Sequence, residues 1–188
     1  MAIKTFSTGE VLTSGDTNTY LANSGLVYIS TTSFSGSTVA QFQSCFTSTY
    51  TNYRAIVSIT SGAGNACYLR FLVGATVQTG NILSQVAGIT FATDAFGASH
   101  RGDQYGLAPT IFPTYPTAYG LDFYGPQISG YTSYNTTHYN VGISATDTSL
   151  AFTGGRNIAT TQIDGFELTT AGATNIAGTM TLYGYRKA

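Results

Sequence analysis

The stretch NYRAIVSIT, residues 52–60, alternates along its length: Tyr53, Ala55, Val57 and Ile59 fall on one face of an extended chain, and Arg54, Ile56 and Ser58 on the other. A side-chain period of two marks a half-buried β-strand, whereas the apolar positions of a helix recur at three and four. The same period returns in IAGTMTLYGYRK, with Met180 and Leu182 inward and Thr179, Thr181, Tyr183 and Tyr185 outward. CYLRFLVG, from Cys67, is more continuously apolar and suits a strand covered on both faces. Further strands are expected at 26–33, 40–45, 82–91, 119–124, 134–143, 149–152 and 163–169.

Turn clusters separate these runs: SGAGN, FGASHRGD, YGPQISG, SATDTS, TGGRN and TTAGATN, supplied from 22 glycines. Many short strands closely spaced by such turns predict an all-β fold, a jelly-roll-like β-sandwich. At 188 residues the chain suits one such domain, expected over 26–188. The segment 92–120 breaks the rhythm, holds three of the four prolines, and is expected to be a long exposed loop.

Ahead of the sandwich, residues 1–25 predict an extended N-terminal arm with one short helix. Thr13 or Ser14 supplies the N-cap, Asp16 falls in the first turn where the helix dipole favours a carboxylate, and Tyr20 and Leu21 make a small apolar face. Asn23–Ser24–Gly25 stops the helix. A helix this short is unstable alone and must dock on something. Phe6, Val11, Leu12, Asp16, Tyr20 and Leu21 are the expected anchoring residues.

Charge is scarce. Asp, Glu, Lys and Arg make up 8% of the residues and the formal net charge is −1. The seven basic residues are scattered, so there is no basic stripe to displace phosphate counterions, and nucleic acid is not an expected partner. A neutral surface of hydroxyls and tyrosines suits permanent contact with neighbours better than free solution. The opening MAIKTFSTGE lacks the apolar core of a signal peptide and no run reaches the length of a membrane span, so synthesis in the cytoplasm without membrane insertion is expected. Cys45 and Cys67 each sit in an apolar context without CxxC spacing and read as reduced core thiols.

No constellation here demands chemistry. There are two histidines, His100 and His138, and no HExxH, DxDxDG, P-loop or GxSxG spacing. The glycines of SGAGNAC lack the third glycine and the helix of a dinucleotide fingerprint. SHRGDQ contains an adhesion-like tripeptide and a His/Asp pair, and Asp94, His100 and Asp103 could share a metal, but a solvated polar loop accounts for all of it. Glycan cleavage needs a carboxylate pair, for which Asp94, Asp103 and Asp122 are the acids in or beside the unusual segment. The expectation is a protein that is not an enzyme and has no cofactor and no metal. Tyrosine is abundant, 14 against no tryptophan, and suits sheet packing, protein interfaces and sugar stacking alike. Candidate exposed-loop contacts are Arg101, Asp103, Tyr115, Tyr119 and Tyr131, with Tyr124 and Tyr134 as further stacking faces.

Three stretches together, GEVLTSGDTNTYLANSGLVYI, CFTSTYTNYRAIVSI and GTMTLYGYRK, resemble small virion structural proteins of tailed bacteriophages. They cover both ends and the middle and leave 72–174 largely unmatched. The resemblance implies a non-enzymatic part of the virion, either a capsid decoration or cement protein or a piece of a short tail fibre, acting as a homotrimer. Its implied partners are further copies of itself, the major capsid protein or a tail component, and, for a fibre, a host-surface glycan. Without heptads or a shaft the chain is compact for a fibre, which favours decoration.

Overall fold

The computed structural model describes residues 7–11, 13–16, 25–62, 65–80, 82–90, 95–103, 106–111, 117–141, 148–170 and 175–185. One helical turn, α1 (Ser14–Asp16), precedes thirteen strands: β1 (Leu26–Ser37), β2 (Val39–Phe42), β3 (Asn52–Ser61), β4 (Asn65–Val73), β5 (Thr76–Val77), β6 (Ile82–Thr90), β7 (Ala95–Asp103), β8 (Gly106–Ile111), β9 (Thr117–Tyr124), β10 (Thr132–Val141), β11 (Thr148–Asn157), β12 (Gly165–Thr170) and β13 (Ile176–Tyr185). The remainder of the expected helix, with Tyr20 and Leu21, lies outside the described residues, as do Phe6 and Leu12.

The strands form two antiparallel sheets. The larger runs β1-β13-β3-β9-β10-β11-β6-β7, and the smaller β2-β12-β4-β5, with β8 also paired to β4. Because β12 occupies one edge of β4, β8 and β5 share the other, β8 against 65–69 and β5 against Leu72 and Val73. The chain passes from one sheet to the other between β1 and β2, where the Ser37 hydroxyl donates to Val39 O at 2.7 Å and the Thr170 N–H donates to Thr38 O at 3.1 Å.

Alternation decides what is buried. Tyr53, Ala55, Val57 and Ile59 of β3, Leu121 and Phe123 of β9, and Met180 and Leu182 of β13 point inward and are fully covered, as the period-two pattern predicts. From the smaller sheet come Phe42, Cys67, Leu69, Phe71, Phe166 and Leu168. Aromatic rings knit the two layers: Phe123 lies 4.7 Å from Phe166 and 6.2 Å from Phe71, and Phe46, carried in from the β2–β3 connection, lies 4.7 Å from Tyr53, 5.2 Å from Phe123 and 5.7 Å from Phe166. The Tyr53 hydroxyl pins that connection, donating to Thr47 O at 2.6 Å and accepting from Thr47 N at 2.7 Å. Cys45 and Cys67 are free buried thiols, both pushed up to about 12 by burial, as two reduced core cysteines should be. On the other face of the smaller sheet, buried Glu167 joins Gln41 and Arg70 from the flanking strands, and Leu72 of β4 is fully buried there too.

Three expectations need correction. The segment 92–120 is not one long loop: β7 pairs with β6 in unbroken register from Ile82↔Asp103 to Thr90↔Ala95, and β8 pairs with β4. Gly and polar residues are tolerated in β7 because it is an edge strand, and Pro109 falls where the β4–β8 ladder shifts register, so its missing N–H costs no bond. TGGRN is not a turn either but the end of β11, where Gly155 packs so closely that a Cβ would stand 2.5 Å from Leu83 O and 2.7 Å from the Tyr134 ring. Tyr119 is not an exposed contact; it points into the core from β9 and is 5% exposed.

Gly155→Ala should therefore destabilise the fold by about 1–3 kcal/mol, the cost of overpacking against a neighbouring backbone, measurable by denaturant unfolding. His138, buried on β10, is pushed down to about 4 by burial alone. Above pH 6.5 the imidazole is neutral in both folded and unfolded chains; below it the unfolded chain takes up a proton that the folded chain refuses until about pH 4. Acidification through that window should remove about 3 kcal/mol of stability, and His138→Phe should flatten the dependence.

Candidate functional site

The larger sheet turns one face to the core, and its other face is the most distinctive surface among the described residues. One register row crosses all eight strands: Tyr28, Tyr183, Arg54, Asp122, Asn135, Gly154, Gln85 and His100. Flanking rows add Ile56 and Phe152 on one side and Tyr124 and Leu83 on the other, with Ile89 paired to Phe96 toward the β7 edge. Tyr183 is half-buried and the other apolar or aromatic side chains named are exposed, Phe96 by 70% and Phe152 by 52%.

The charges described on this face are engaged with neighbours. Arg54 and Asp122 lie 3.5 Å apart on paired strands, and the Tyr185 hydroxyl donates to Asp122 Oδ1 at 2.8 Å. Hydrogen bonding to Tyr185, with the Asp122 charge, raises the Arg54 pKa, while burial is the largest of the influences raising that of Tyr185. Gly120 makes room for this group: a Cβ there would stand 2.9 Å from an Arg54 guanidinium nitrogen. The Arg156 guanidinium lies 5.3 Å from the centre of the Tyr131 ring. Tyr28 and Tyr183 meet edge to face at 6.1 Å, and the Asn135 amide donates to the Tyr124 hydroxyl at 3.3 Å.

Where Gly154 contributes no side chain the face sinks into a depression of about 410 Å³, lined by Gln85, Ala87, Asn135, Thr137 and Phe152. A broad sheet face with apolar side chains standing outward, paired charges and a shallow depression has the features by which protein surfaces can pack against one another. Among the described residues it offers no nucleophile beside a base. No group of three or more potential metal ligands occurs among the described residues.

The sequence-derived candidates fall out unevenly. Tyr131 is exposed and Tyr124 partly so, whereas Tyr134 is buried with Tyr119. Tyr115 and Asp94 lie outside the described residues. Arg101 and Asp103 lie on β7, with backbones paired to Ser84 and Ile82. His100 and Asp103 are three residues apart on an extended strand, roughly 10 Å, so they do not form a compact chelating loop. Asp122 is held by Arg54 and Tyr185 in the middle of the sheet face. Of the arm, Ser7–Glu10 forms a turn closed by Glu10 N–H to Ser7 O and Ser7 N–H to Glu10 Oε2, both 3.0 Å, and Val11 beyond it is 80% exposed.

Sequence reasoning missed Tyr28, Phe96 and Phe152. The signal was there for Ile56, an apolar residue at an outward position of a cleanly alternating strand. For Phe96 the strand itself was hidden in a glycine-rich segment.

No family model, curated protein or solved structure matches the chain. No described helix is long and apolar enough to cross a membrane.

Asp122→Asn should cost less than about 1 kcal/mol in thermal or denaturant unfolding, because a partly exposed ion pair gains little in high dielectric. The loss should shrink further in high salt, since screening already weakens the native pair.

Proposed function

We propose that this protein is a non-enzymatic structural component of a phage virion, acting as a capsid decoration or cement protein that packs against neighbouring capsomers and sister subunits. The observation that carries this is the outward face of the larger sheet. Exposed Tyr28, Phe96 and Phe152 stand there with the paired charges Arg54 and Asp122, a surface suited to a flat protein neighbour. The near-neutral composition agrees, since such a surface gains from being covered.

The arm supports the same reading. Its described residues 7–11 are all exposed, and Val11 presents apolar surface with no cover from this chain, as a segment resting on a neighbour would. We read the sandwich as jelly-roll-like, on the repeated passage of the chain between sheets at β1–β2, β2–β3, β3–β4, β5–β6, β7–β8, β8–β9, β11–β12 and β12–β13, and the arm as carrying a short helix begun at Ser14–Asp16. The homotrimer and the virion location rest on the resemblance.

The alternative is a tail-fibre component anchored by the same arm, favoured by the exposed Tyr131 ring beneath Arg156. Copy number in purified particles separates the two, many for decoration and few for a fibre.

A Phe96→Glu, Phe152→Glu double variant should keep its melting temperature, because both rings are solvent-exposed in the free protein. It should bind particles assembled without the protein at least about tenfold more weakly, since it buries unpaired charge at the contact. Binding equal to that of the unaltered protein in a sedimentation assay would rule out decoration through this face.

A further inference from the structure

Every described sheet edge but one carries a device against further strand pairing. β2 is four residues long and β5 two, β8 holds Pro109, and β7 has Arg101 and Asp103 in its sequence. β1 lies at the opposite end of the eight-stranded sheet from β7 and runs for 12 residues. It contains neither a charged residue nor a proline. β13 occupies one side of it, and among the described residues no backbone hydrogen bond from another segment reaches its other side between Leu26 and Gly36.

Two register shifts, between Tyr28 and Ser30 and between Phe34 and Ser37, bracket a regular run from Ser30 to Phe34, in which Thr31 lies opposite Thr181 and Ser33 opposite Thr179. Bulges also discourage pairing, but these leave the run between them in an unbroken ladder. At this end the rim of the sandwich is incompletely covered: Ile29 and Phe34 pack against the core and remain partly exposed. A strand added beside β1 would cover their free flanks and bond the backbone groups that now face water.

We propose that the free edge of β1 pairs with the same edge of a second copy of this chain, antiparallel about a twofold axis normal to the sheet, so that two eight-stranded sheets become one. The sequence of β1 singles out a second copy as the occupant. Under a twofold axis each residue lies opposite or diagonal to a residue of the same strand, so a charge there would meet its own kind, and β1 has none. Such an axis keeps outward residues opposite outward ones and therefore passes through a residue rather than between two; Thr32 is the middle of the regular run. Thr31 then lies opposite the partner's Ser33 on the outward side, which carries the Thr31–Thr181 hydroxyl contact of 2.9 Å across one more strand. On the inward side Phe34 lies opposite the partner's Ser30. The contact is short, so the association is weak, with a Kd of about 10–100 µM. The inference concerns an edge of the sheet and is independent of docking through its face.

The test is sedimentation of the full chain across about 1–500 µM, a span that brackets the expected Kd, in which the mass of one chain should give way reversibly to that of two. Ser33 is exposed, so Ser33→Lys and Ser33→Glu should each keep the melting temperature and weaken the dimer about fivefold or more, through like charges on the diagonal across the axis. An equimolar mixture of the two variants should restore it, which damage to the fold would not do. A Phe96→Glu, Phe152→Glu variant, altered on the sheet face, should pair as the unaltered chain does, so that failure of this assignment and failure of docking through the face are told apart. A mass that stays at one chain or settles at three, a dimer indifferent to both Ser33 variants, a mixture that does not restore it, or a dimer lost on changing Phe96 and Phe152 would each overturn the assignment.

Discussion

Contact between the aromatic rings of the two sheets is what the rest of the structure depends on. Tyr53, Phe123 and Tyr134 come from the larger sheet and Phe42, Phe71 and Phe166 from the smaller, and Phe46 closes the cluster from a connection belonging to neither. A sheet alone leaves one apolar face in water; burying both against each other removes that exposure, at about 1.5–3 kcal/mol for each fully covered large side chain. The Tyr53–Thr47 clasp holds Phe46 in place, and Ser44, the only described non-glycine residue with positive φ, at 49°, turns the chain toward the core. Ring packing between the layers lets the outward face of the larger sheet stay broad and regular.

That outward face and a polar pocket between the turn after β9 and the segment leading into β12 follow from the same fold by different routes. The face exists because eight paired strands keep their alternate side chains in register over a wide span, so that isolated outward apolar residues in sequence become one surface. The pocket exists because two connections, pinned to each other and to the β4–β5 turn, leave a carboxylate oxygen buried and polar side chains around it. One is a wide area of outward side chains, the other a small recess lined by polar groups.

Alternation was legible wherever inward positions were apolar. β3, β9 and β13 are readable because tyrosines, aliphatics and methionine sit at every second place. β7 and the end of β11 were not, because their residues are glycine-rich and polar and local propensity alone suggests turns. Gly155 is glycine for lack of space beside Leu83 and Tyr134, a requirement set by residues distant in sequence. Tyr119 looked like a loop tyrosine only because the strand carrying it begins after a proline-rich stretch. Of the sheet face, the Arg54–Asp122–Tyr185 group was invisible, since its members come from three strands and meet only through register.

The amino-acid sequence by itself determined an all-β protein with reduced core cysteines, a near-neutral surface and no recognisable catalytic constellation. Those properties follow from local periodicity and composition, which every residue expresses without its neighbours in space. Tertiary structure decided which glycines lie in strands, which tyrosines face water, that Asp122 is paired, and that Asp164 keeps one oxygen buried beside an open pocket. These depend on strand order and register, set by the long-range pairing of segments such as β1 with β13, about 150 residues apart.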